Sequence, residues 1–274
     1  MPPEKLPQLA LGFLLAVLIA ALAYRFRSLS RSGALAATLV GTVIFGLGGL
    51  PWAILLLTFF ISSSGLSRAF KKRKRGLNEK FSKGSQRDAG QVFGNGGLAT
   101  LFAGLSVFFP GELWPWLAFS ASLAAVNADT WATELGVLSP RPPRMMTNLR
   151  KVVEKGTSGG ISLFGTFAAL AGAGLIGILA GTLSPVPLSP LNGLSLTLWV
   201  TFAGLAGSLV DSFLGATIQA IYLCPTCDKE TERHPEHTCG TPTSLKRGFP
   251  WLDNDWVNFA CGLGGALFVL VAIL

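Results

Sequence analysis

Two aspartates stand in apolar stretches of the sequence where a carboxylate is costly. Asp129 lies within residues 113–138 and Asp211 within residues 191–222, and both stretches otherwise have the composition of membrane-spanning helices. An ionised carboxylate at membrane depth costs roughly 2.5–3.5 kcal/mol even on the lenient insertion scales. Such a residue is retained when it faces a cavity, an ion or a partner. The pattern therefore predicts that Asp129 and Asp211 serve catalysis or transport within the membrane.

The composition predicts a polytopic membrane protein, because half of the 274 residues are hydrophobic and only 13% are charged. A soluble domain has about 25% charged residues. The apolar residues form blocks close to the ~20 residues that a spanning helix requires. We expect an all-α transmembrane bundle that forms one domain over residues 1–274, with eight spans, or seven if the weak divider at 49–51 does not separate two of them. The expected spans are 7–25, 33–50, 51–67, 90–109, 114–137, 158–183, 192–222 and 255–274.

The basic residues orient this bundle, since cytoplasmic loops carry an excess of lysine and arginine. All of them except Lys5 fall in the connections after the first, third, fifth and seventh spans. We therefore expect both termini on the outer side, and an integral multi-pass protein of a prokaryotic plasma membrane. This rule accounts for the net charge of +8 without nucleic acid as a partner. The basic run 71–75 is expected to contact anionic membrane lipids.

Five polar segments lie at the predicted cytoplasmic ends of the spans. Their candidate residues are Lys83, Arg87, Asp88, Asn95, Asn127, Asp129, Glu134, Lys155, Ser208, Asp211, Asp253, Asn254 and Asn258. The outer connections carry only Glu112 as a charge, apart from the termini. A transporter requires access from both sides, with sites near the midplane. The one-sided arrangement instead favours an enzyme that takes a water-soluble substrate from the cytoplasm and a lipid from the membrane.

Residues 155–160 have the composition of a phosphate-binding loop. Backbone N–H groups and hydroxyls at a helix start bind phosphates, and the donors here are Gly156, Thr157, Ser158 and Gly159 beside Lys155. The loop is not a Walker A motif, because the first glycine and its four-residue spacer are missing. An ordinary helix start is the alternative interpretation. With two carboxylates nearby, the set suits a Mg²⁺-nucleotide, since Mg²⁺ takes one or two carboxylates plus phosphate oxygens and waters.

A segment rich in cysteine and histidine lies within the connection 223–250. The spacing Cys-x2-Cys followed by His-x-Cys supplies four ligands for a tetrahedral zinc ion, and disulfides are disfavoured in the cytoplasm. We expect a structural zinc ion to organise this connection, with free or redox-active thiols as the alternative. The predicted ligands are Cys224, Cys227, His237 and Cys239, with His234 as the alternate histidine.

Four motifs of this chain are specific in combination. They are N-A-D-T-W-A-T-E-L-G at 127–136, V-E-K-G-T-S-G-G at 153–160, G-S-L-V-D-S-F-L-G at 207–215 and D-N-D-W-V-N at 253–258. Together they resemble an integral-membrane family that includes plant phytyl-phosphate kinase, many of whose members were long described only as a domain of unknown function. The resemblance covers most of the chain.

The resemblance implies transfer of a nucleotide γ-phosphate to a prenyl monophosphate, such as phytyl or geranylgeranyl monophosphate, to give the diphosphate. The family is also distantly similar to CTP-dependent dolichol and phytol kinases and to CDP-lipid synthases, which makes CTP the favoured donor and Mg²⁺ the expected cofactor. One alternative is a CDP-lipid synthase, in which a lipid phosphate attacks the α-phosphate of CTP. The other is an ion or solute transporter.

Residue roles under this hypothesis follow from charge. Asp129 and Asp211 would hold Mg²⁺, assisted by Glu134 or Asp253. The predicted catalytic residues are Asp129, Asp211, Glu134, Lys155 and Arg87. The predicted nucleotide- and phosphate-binding residues are Asn127, Gly156, Thr157, Ser158, Gly159, Lys83, Asp88, Asn95, Ser208, Asp253, Asn254 and Asn258. Three of the predicted residues, Lys83, Arg87 and Asn95, would orient the acceptor monophosphate or neutralise the charge of the transition state.

Overall fold

A computed structural model describes residues 5–70, 80 and 86–273, and eight α-helices fill the expected apolar blocks of these residues. The helices are α1 (Lys5–Arg25), α2 (Arg31–Val43), α3 (Leu50–Ala69), α4 (Ala89–Leu105), α5 (Trp114–Gly136), α6 (Leu163–Thr182), α7 (Gly193–Thr217) and α8 (Asn254–Ile273). A π-helical turn, Ile44–Gly48, extends α2. The helical transmembrane bundle predicted from the sequence is confirmed.

The weak divider after the second block is a real break. Gly49 has a φ of 90°, a conformation that glycine adopts readily and other residues rarely do. The chain therefore forms two helices here, with Pro51 in the first turn of α3.

Within the described ranges, six helices are long and apolar enough to cross a membrane: α1, α2 with its π-turn, α3, α6, α7 and α8. Of the other two, α4 has 17 residues and α5 carries polar side chains. Helix α1 leaves Phe13, Leu14 and Leu18 exposed. A continuous exposed apolar surface of this kind is typical of a protein that contacts lipid.

Helix α5 forms the centre of the bundle. Every residue from 115 to 128 is buried, and α5 packs against α3, α4, α6, α7 and α8. Small residues permit this packing. A Cβ atom at Gly204 would lie 2.9 Å from that of Ala124, and one at Gly207 would lie 2.5 Å from that of Ala125. These two glycines of α7 are therefore packing contacts.

Two small antiparallel sheets lie in the connections after α5 and α7, where no strands were predicted. One sheet has the order β2-β1-β3, with β1 (Arg144–Met145), β2 (Asn148–Val152) and β3 (Gly160–Ile161). The other has the order β5-β4-β6, with β4 (Ile221–Cys224), β5 (Lys229–Thr231) and β6 (Ser244–Arg247). Strand β3 delays the start of α6 to Leu163, and α7 ends at Thr217, shortly before β4. The predicted spans 158–183 and 192–222 were too long at these ends.

The four connections that carry the basic residues meet at one end of the bundle. The backbone N–H of Ser30 donates to the carbonyl of Arg87, with 2.9 Å between nitrogen and oxygen. The ammonium of Lys80 lies 2.6 Å from the carboxylate of Glu154, and the carbonyl of Lys80 accepts from the backbone N–H of Glu232 at 2.9 Å. The connections after α1, α3, α5 and α7 are thus joined by contacts.

Candidate active site

A cavity of about 520 Å³ lies where these connections meet the helices. Its walls come from α3 to α8 and from the two connections that contain sheets. We call it the polar cavity. Among the described residues, four carboxylates and three cations line it: Asp129, Glu134, Asp211 and Glu232, with Arg87, Lys155 and Arg233. Carboxylates are in excess, which favours the entry of a cation.

The two costly aspartates lie next to each other on the wall of this cavity. Contacts between α5 and α7 advance along both helices in the same direction, from Ala125 against Gly207 to Asp129 against Asp211. Each aspartate lies four residues beyond its contact residue, which is about one helical turn. The close packing at Gly207 therefore brings the two carboxyl groups together.

The carboxyl groups of Asp129 and Asp211 are close enough to form a hydrogen bond, and Asp211 also interacts electrostatically with Glu232. The Oδ2 atom of Asp211 is buried without a hydrogen-bond partner. Two ionised carboxylates in contact repel each other. A divalent cation removes that repulsion and satisfies the buried oxygen, so the pair fits Mg²⁺, which binds through one or two carboxylates.

Glu232 is a cavity residue that the sequence analysis missed. It directly follows β5, and its Oε1 atom accepts hydrogen bonds from the Ser158 hydroxyl at 2.7 Å and from the Gln219 amide at 3.1 Å. Nothing in the sequence separates it from the neighbouring acidic residues Glu230 and Glu236, because the hairpin that aims it at the cavity had not been predicted.

Arg87 lies partly buried beside the cavity, between α3 and α4. Its guanidinium donates to the Ser64 hydroxyl at 2.9 Å and lies 5.7 Å and 5.8 Å from the ring centres of Phe59 and Phe60. Burial lowers the pKa of Arg87 to about 10, and the nearby Glu134 carboxylate opposes this shift. Arg87 therefore carries its positive charge at neutral pH inside a protected site.

Glu134 is held by the same helix, α3. The hydroxyl of Ser67 donates to its Oε1 atom at 2.7 Å. Helix α3 thus orients both members of the pair, Arg87 through Ser64 and Glu134 through Ser67.

Residues 155–160 line the polar cavity, but they do not form a helix start. Residues 155–159 lie between β2 and β3, Gly160 is the first residue of β3, and α6 begins at Leu163 with Ser162 as its N-cap. The ammonium of Lys155 donates to the carbonyls of Val137 at 3.0 Å and Ser139 at 2.6 Å. Lys155 therefore caps the carboxyl end of α5, a favourable position for a cation.

The glycines of this loop are required by its backbone. Gly156 and Gly159 have φ values of 77° and 79°. A Cβ atom at Gly159 would clash with the backbone of Ala216 at the end of α7. Only glycine allows the loop to approach α7 this closely, beside the residues that carry Asp211.

Asn127 lies away from the cavity wall. It is fully buried, and its amide donates to the carbonyl of Gly172 at 2.8 Å while its oxygen accepts from the Ser62 hydroxyl at 3.1 Å. It joins α5 to α6 and α3. Its placement does not match the nucleotide-binding role predicted for it.

Asp88 and Asp253 also lie outside the cavity lining, at helix starts. The Asp88 carboxylate accepts from the backbone N–H of Gln91 at 3.0 Å, as part of a capping box that begins α4. The Asp253 carboxylate accepts from the backbone N–H of Trp256 at 3.2 Å at the start of α8. Both carboxylates cap helices, a position for which aspartate is among the preferred residues, and neither lines the cavity to which their predicted roles refer.

The remaining predicted site residues form two groups, those on the cavity wall and those outside the described residues. On the cavity wall are Gly156, Thr157, Ser158, Gly159, Asn95, Ser208, Asn254 and Asn258. Lys83 and the basic run 71–75 lie outside the described residues.

The structure brings the four predicted zinc ligands together. The ligand atoms of Cys224, Cys227, His237 and Cys239 all lie within 4.8 Å of one another. The Sγ atoms of Cys224 and Cys239 are 3.5 Å apart, and Nδ1 of His237 lies 3.2 Å from Sγ of Cys239. Hydrogen bonding with Thr241, then with His237, lowers the pKa of the Cys239 thiol to about 6, whereas hydrogen bonding with Cys239, then burial, raises the pKa of the Cys227 thiol to about 11.

The alternate histidine, His234, stacks on the ring of Tyr222, with 4.5 Å between ring centres. All four cysteines of the chain are free thiols. The cluster therefore has the four residues of the first prediction, and His234 lies outside it.

Comparison with known proteins identifies the family. The family described as integral membrane protein DUF92 matches residues 14–266. The chain belongs to this family. The match confirms the resemblance drawn from the four motifs and the integral, multi-pass character of the protein.

Relatives of this DUF92 member occur in archaea and plants. An uncharacterized membrane protein of Methanocaldococcus jannaschii is 36% identical over 177 residues, which cover 64% of this chain and 71% of that protein. Protein PGR of Arabidopsis thaliana is 36% identical over 190 residues, or 64% and 65% of the two chains. Protein VTE6, chloroplastic, of the same plant is 28% identical over 167 residues, or 57% and 49%. No solved structure matches this chain.

A second, apolar cavity of about 100 Å³ adjoins the polar cavity in this DUF92 member. It lies among α1, α2, α3 and α4, and three residues, Arg87, Gln91 and Asn95, line both cavities. We call it the apolar groove. The partly buried cation Arg87 thus stands at the boundary between a polar and an apolar compartment, an arrangement that suits an amphiphilic molecule with an anionic head group.

Proposed function

We propose that this protein is a membrane kinase that transfers the γ-phosphate of a nucleoside triphosphate to a prenyl monophosphate. The observation that carries the proposal is the Asp129–Asp211 pair, which shares one cavity with the partly buried cation Arg87. Membership of the DUF92 family and the resemblance of its motifs to the family of plant phytyl-phosphate kinase support the reaction class. The similarity to CTP-dependent lipid kinases makes CTP the proposed donor.

The charge of the polar cavity supports a metal-dependent reaction. Four carboxylates outnumber three cations among its described residues, so a polyphosphate needs additional positive charge to bind. Asp129 and Asp211 would hold Mg²⁺, which when bound supplies charge neutralisation and alignment for the donor phosphates. Residues 156–159 line the same cavity, and the Thr157 hydroxyl and backbone N–H groups of this loop would hold phosphate oxygens, since the Ser158 hydroxyl already donates to Glu232.

Arg87 would bind the acceptor. A guanidinium presents a rigid fork of donors that matches a phosphate group. An oxygen of the prenyl monophosphate then attacks the γ-phosphorus, the bond between that phosphorus and the β-phosphate oxygen breaks, and the nucleoside diphosphate leaves. This step requires no general base, because the second pKa of a phosphate monoester is about 6 and the oxygen is already ionised at neutral pH.

The apolar groove would receive the first part of the prenyl chain. Its walls are formed by small and apolar side chains, among them Ala16, Ala20 and Leu29. Helix α1, on one side of the groove, exposes apolar side chains on its outer surface. A chain longer than the groove can therefore continue into lipid without crossing a polar surface.

We further propose that the polar cavity faces the cytoplasm. The four connections that meet beside it, together with the helix ends that flank them, contain all but one of the basic residues of the chain, and such an excess is typical of cytoplasmic loops. The same connections would interact with anionic lipid head groups.

Product analysis tests the proposal. Purified protein is incubated with Mg²⁺, one of the four nucleoside triphosphates, and phytyl or geranylgeranyl monophosphate, with Asp129→Asn as the inactive control. We expect a lipid diphosphate and a nucleoside diphosphate. A CDP-lipid with pyrophosphate would indicate a cytidylyltransferase, and solute flux in proteoliposomes without nucleotide turnover would indicate a transporter. Either result would overturn the proposed kinase function.

A further inference from the structure

We infer that Cys224, Cys227, His237 and Cys239 hold one structural zinc ion, and that the hairpin fixed by this ion presents Glu232 to the Asp129–Asp211 pair as a third carboxylate. The zinc ion stands on the geometry of the hairpin alone. The role of Glu232 rests on the proposed function, because it assigns that residue to the same cation site.

The ligand geometry fits a tetrahedral ion. With Zn–S bonds of about 2.3 Å, two cysteine sulfurs of a tetrahedral site lie about 3.8 Å apart. The Sγ atoms of Cys224 and Cys239 are 3.5 Å apart, and all four ligand atoms lie within 4.8 Å of one another. Cys224 and His237 are buried. Four protein ligands leave no open position, which is typical of structural rather than catalytic zinc.

Burial in this sheet is confined mainly to the central strand β4, and its two partner strands contribute little to an apolar core. Every residue of β6 and two of the three residues of β5 have exposed or partly exposed side chains. A small scaffold of this kind is commonly stabilised by a disulfide or a metal ion, and the cysteines here are free. The ion would join the turn after β4 to the long connection between β5 and β6, where His237 and Cys239 lie.

The pairing of β4 with β5 sets the position of Glu232. Cys224, a ligand, pairs with Lys229, and Tyr222 pairs with Thr231. Glu232 is the next residue, so the register that places the ligands also places its carboxylate. The hairpin is fixed to α7 by Arg247 of β6, whose guanidinium donates to the carbonyl of Gly215 at 2.7 Å.

Two hydrogen bonds then aim Glu232 at the cation site. Ser158 and Gln219 both donate to its Oε1 atom, at 2.7 Å and 3.1 Å. Its charge acts on Asp211 electrostatically. Glu232 is therefore a positioning and charge-supplying residue of the cation site, and its removal weakens divalent cation binding.

The zinc content of the purified protein tests the assignment of the structural zinc ion. The full-length protein, purified from zinc-supplemented cells, is expected to contain about one zinc ion per chain by mass spectrometry. Cys227→Ser is expected to lose most of it. Cys261→Ser is the matched control, because this buried cysteine lies in α8, outside the cluster, and should retain the ion. A parent protein without zinc, or an unchanged zinc content in Cys227→Ser, would overturn the assignment.

The role of Glu232 in the cation site is tested by the binding of Mn²⁺, which replaces Mg²⁺ so that binding can be measured by electron paramagnetic resonance. Glu232→Gln keeps the acceptor oxygen for Ser158 but loses the charge, so we expect about tenfold weaker Mn²⁺ binding, the lower end of the range for groups that support a metal site. Its zinc content should equal that of the parent, which verifies the fold of the hairpin. Glu232→Asp should restore most of the affinity.

The control for charge alone is Glu230→Gln. Glu230 lies on the same hairpin but pairs with Lys246 at 2.8 Å, so Mn²⁺ binding should not change. Equal Mn²⁺ affinity in Glu232→Gln and the parent would overturn the role of Glu232. Neither readout requires kinase activity, so an inactive protein with the predicted zinc and manganese binding would reject the proposed function and leave this inference intact.

Discussion

The aspartates inside helices α5 and α7 differ from those at the starts of helices α4 and α8. Asp88 and Asp253 accept hydrogen bonds from backbone N–H groups, so the fold itself accounts for their presence. Asp129 and Asp211 lie in contact with each other, and one buried oxygen of Asp211 has no hydrogen-bond partner. The difference teaches that an acidic residue in or near a membrane helix indicates a ligand site only when its carboxylate does not already accept hydrogen bonds from backbone N–H groups.

The largest expected effect tests whether the interior pair acts as one unit. Asp129→Asn and Asp211→Asn should each lower the rate of phosphoryl transfer about a thousandfold, since several kcal/mol of charge stabilisation would be lost. If the two residues share one cation, the double variant should be scarcely slower than either single variant, because residues that act as a unit are non-additive. Initial rates of the three variants measure this. Multiplicative losses would show two independent sites.

Arg87→Lys should produce the next largest effect, about a hundredfold lower kcat/KM for the lipid acceptor. The charge remains, but the fork of donors that suits phosphate is lost. Steady-state kinetics with varied acceptor measures the change, and KM for the nucleotide should stay nearly constant. A loss confined to nucleotide KM would place Arg87 at the donor instead.

Lys155→Met should have a mixed effect, because Lys155 lines the polar cavity and also caps α5. Loss of a cation at a helix carboxyl end costs about 0.3–1 kcal/mol of stability, and we expect activity to fall about tenfold or less. Thermal unfolding in detergent and initial rates, measured on the same preparation, separate the two contributions. An activity loss as large as that of Asp211→Asn would restore Lys155 to the catalytic set.

The smallest effect is expected at the helix starts. Asp88→Asn should leave activity within about twofold of the parent, because asparagine caps helices as well as aspartate does. Asp88→Ala should lower the free energy of unfolding by about 1 kcal/mol. A large loss of activity in Asp88→Asn, with stability unchanged, would remove the distinction between the two groups of aspartates.

Much of the bundle could be predicted, because apolar blocks of the right length carry their own signal. The start of α4 is also visible in the sequence, as Asp88 followed three residues later by Gln91 is a helix-capping pattern. The predictions for the start of α6 and the end of α7 were wrong, because strands of two to four residues, such as β3 and β4, have no measurable periodicity. Nearby apolar residues were therefore read as a continuation of helix.

The candidate site, like the fold, could be predicted only in part. The four cysteine and histidine ligands follow from local spacing, and Asp129 and Asp211 follow from their apolar surroundings. The proximity of Asp129 and Asp211 could not be predicted from the sequence, because it depends on the contact between Gly207 of α7 and Ala125 of α5. Glu232 could not be selected, since its role is created by the register of a hairpin and by Ser158, which lies 74 residues away in sequence.

The central claim is that the Asp129–Asp211 pair supports phosphoryl transfer to a lipid phosphate. The most direct test follows the γ-label of CTP into geranylgeranyl diphosphate in the presence of Mg²⁺, with parent protein, Asp211→Asn and Asp88→Asn compared at equal concentration. We predict labelled lipid with the parent and Asp88→Asn, and about a thousandfold less with Asp211→Asn. No labelled lipid from the parent with any nucleoside triphosphate, or equal labelling by Asp211→Asn, would contradict the account.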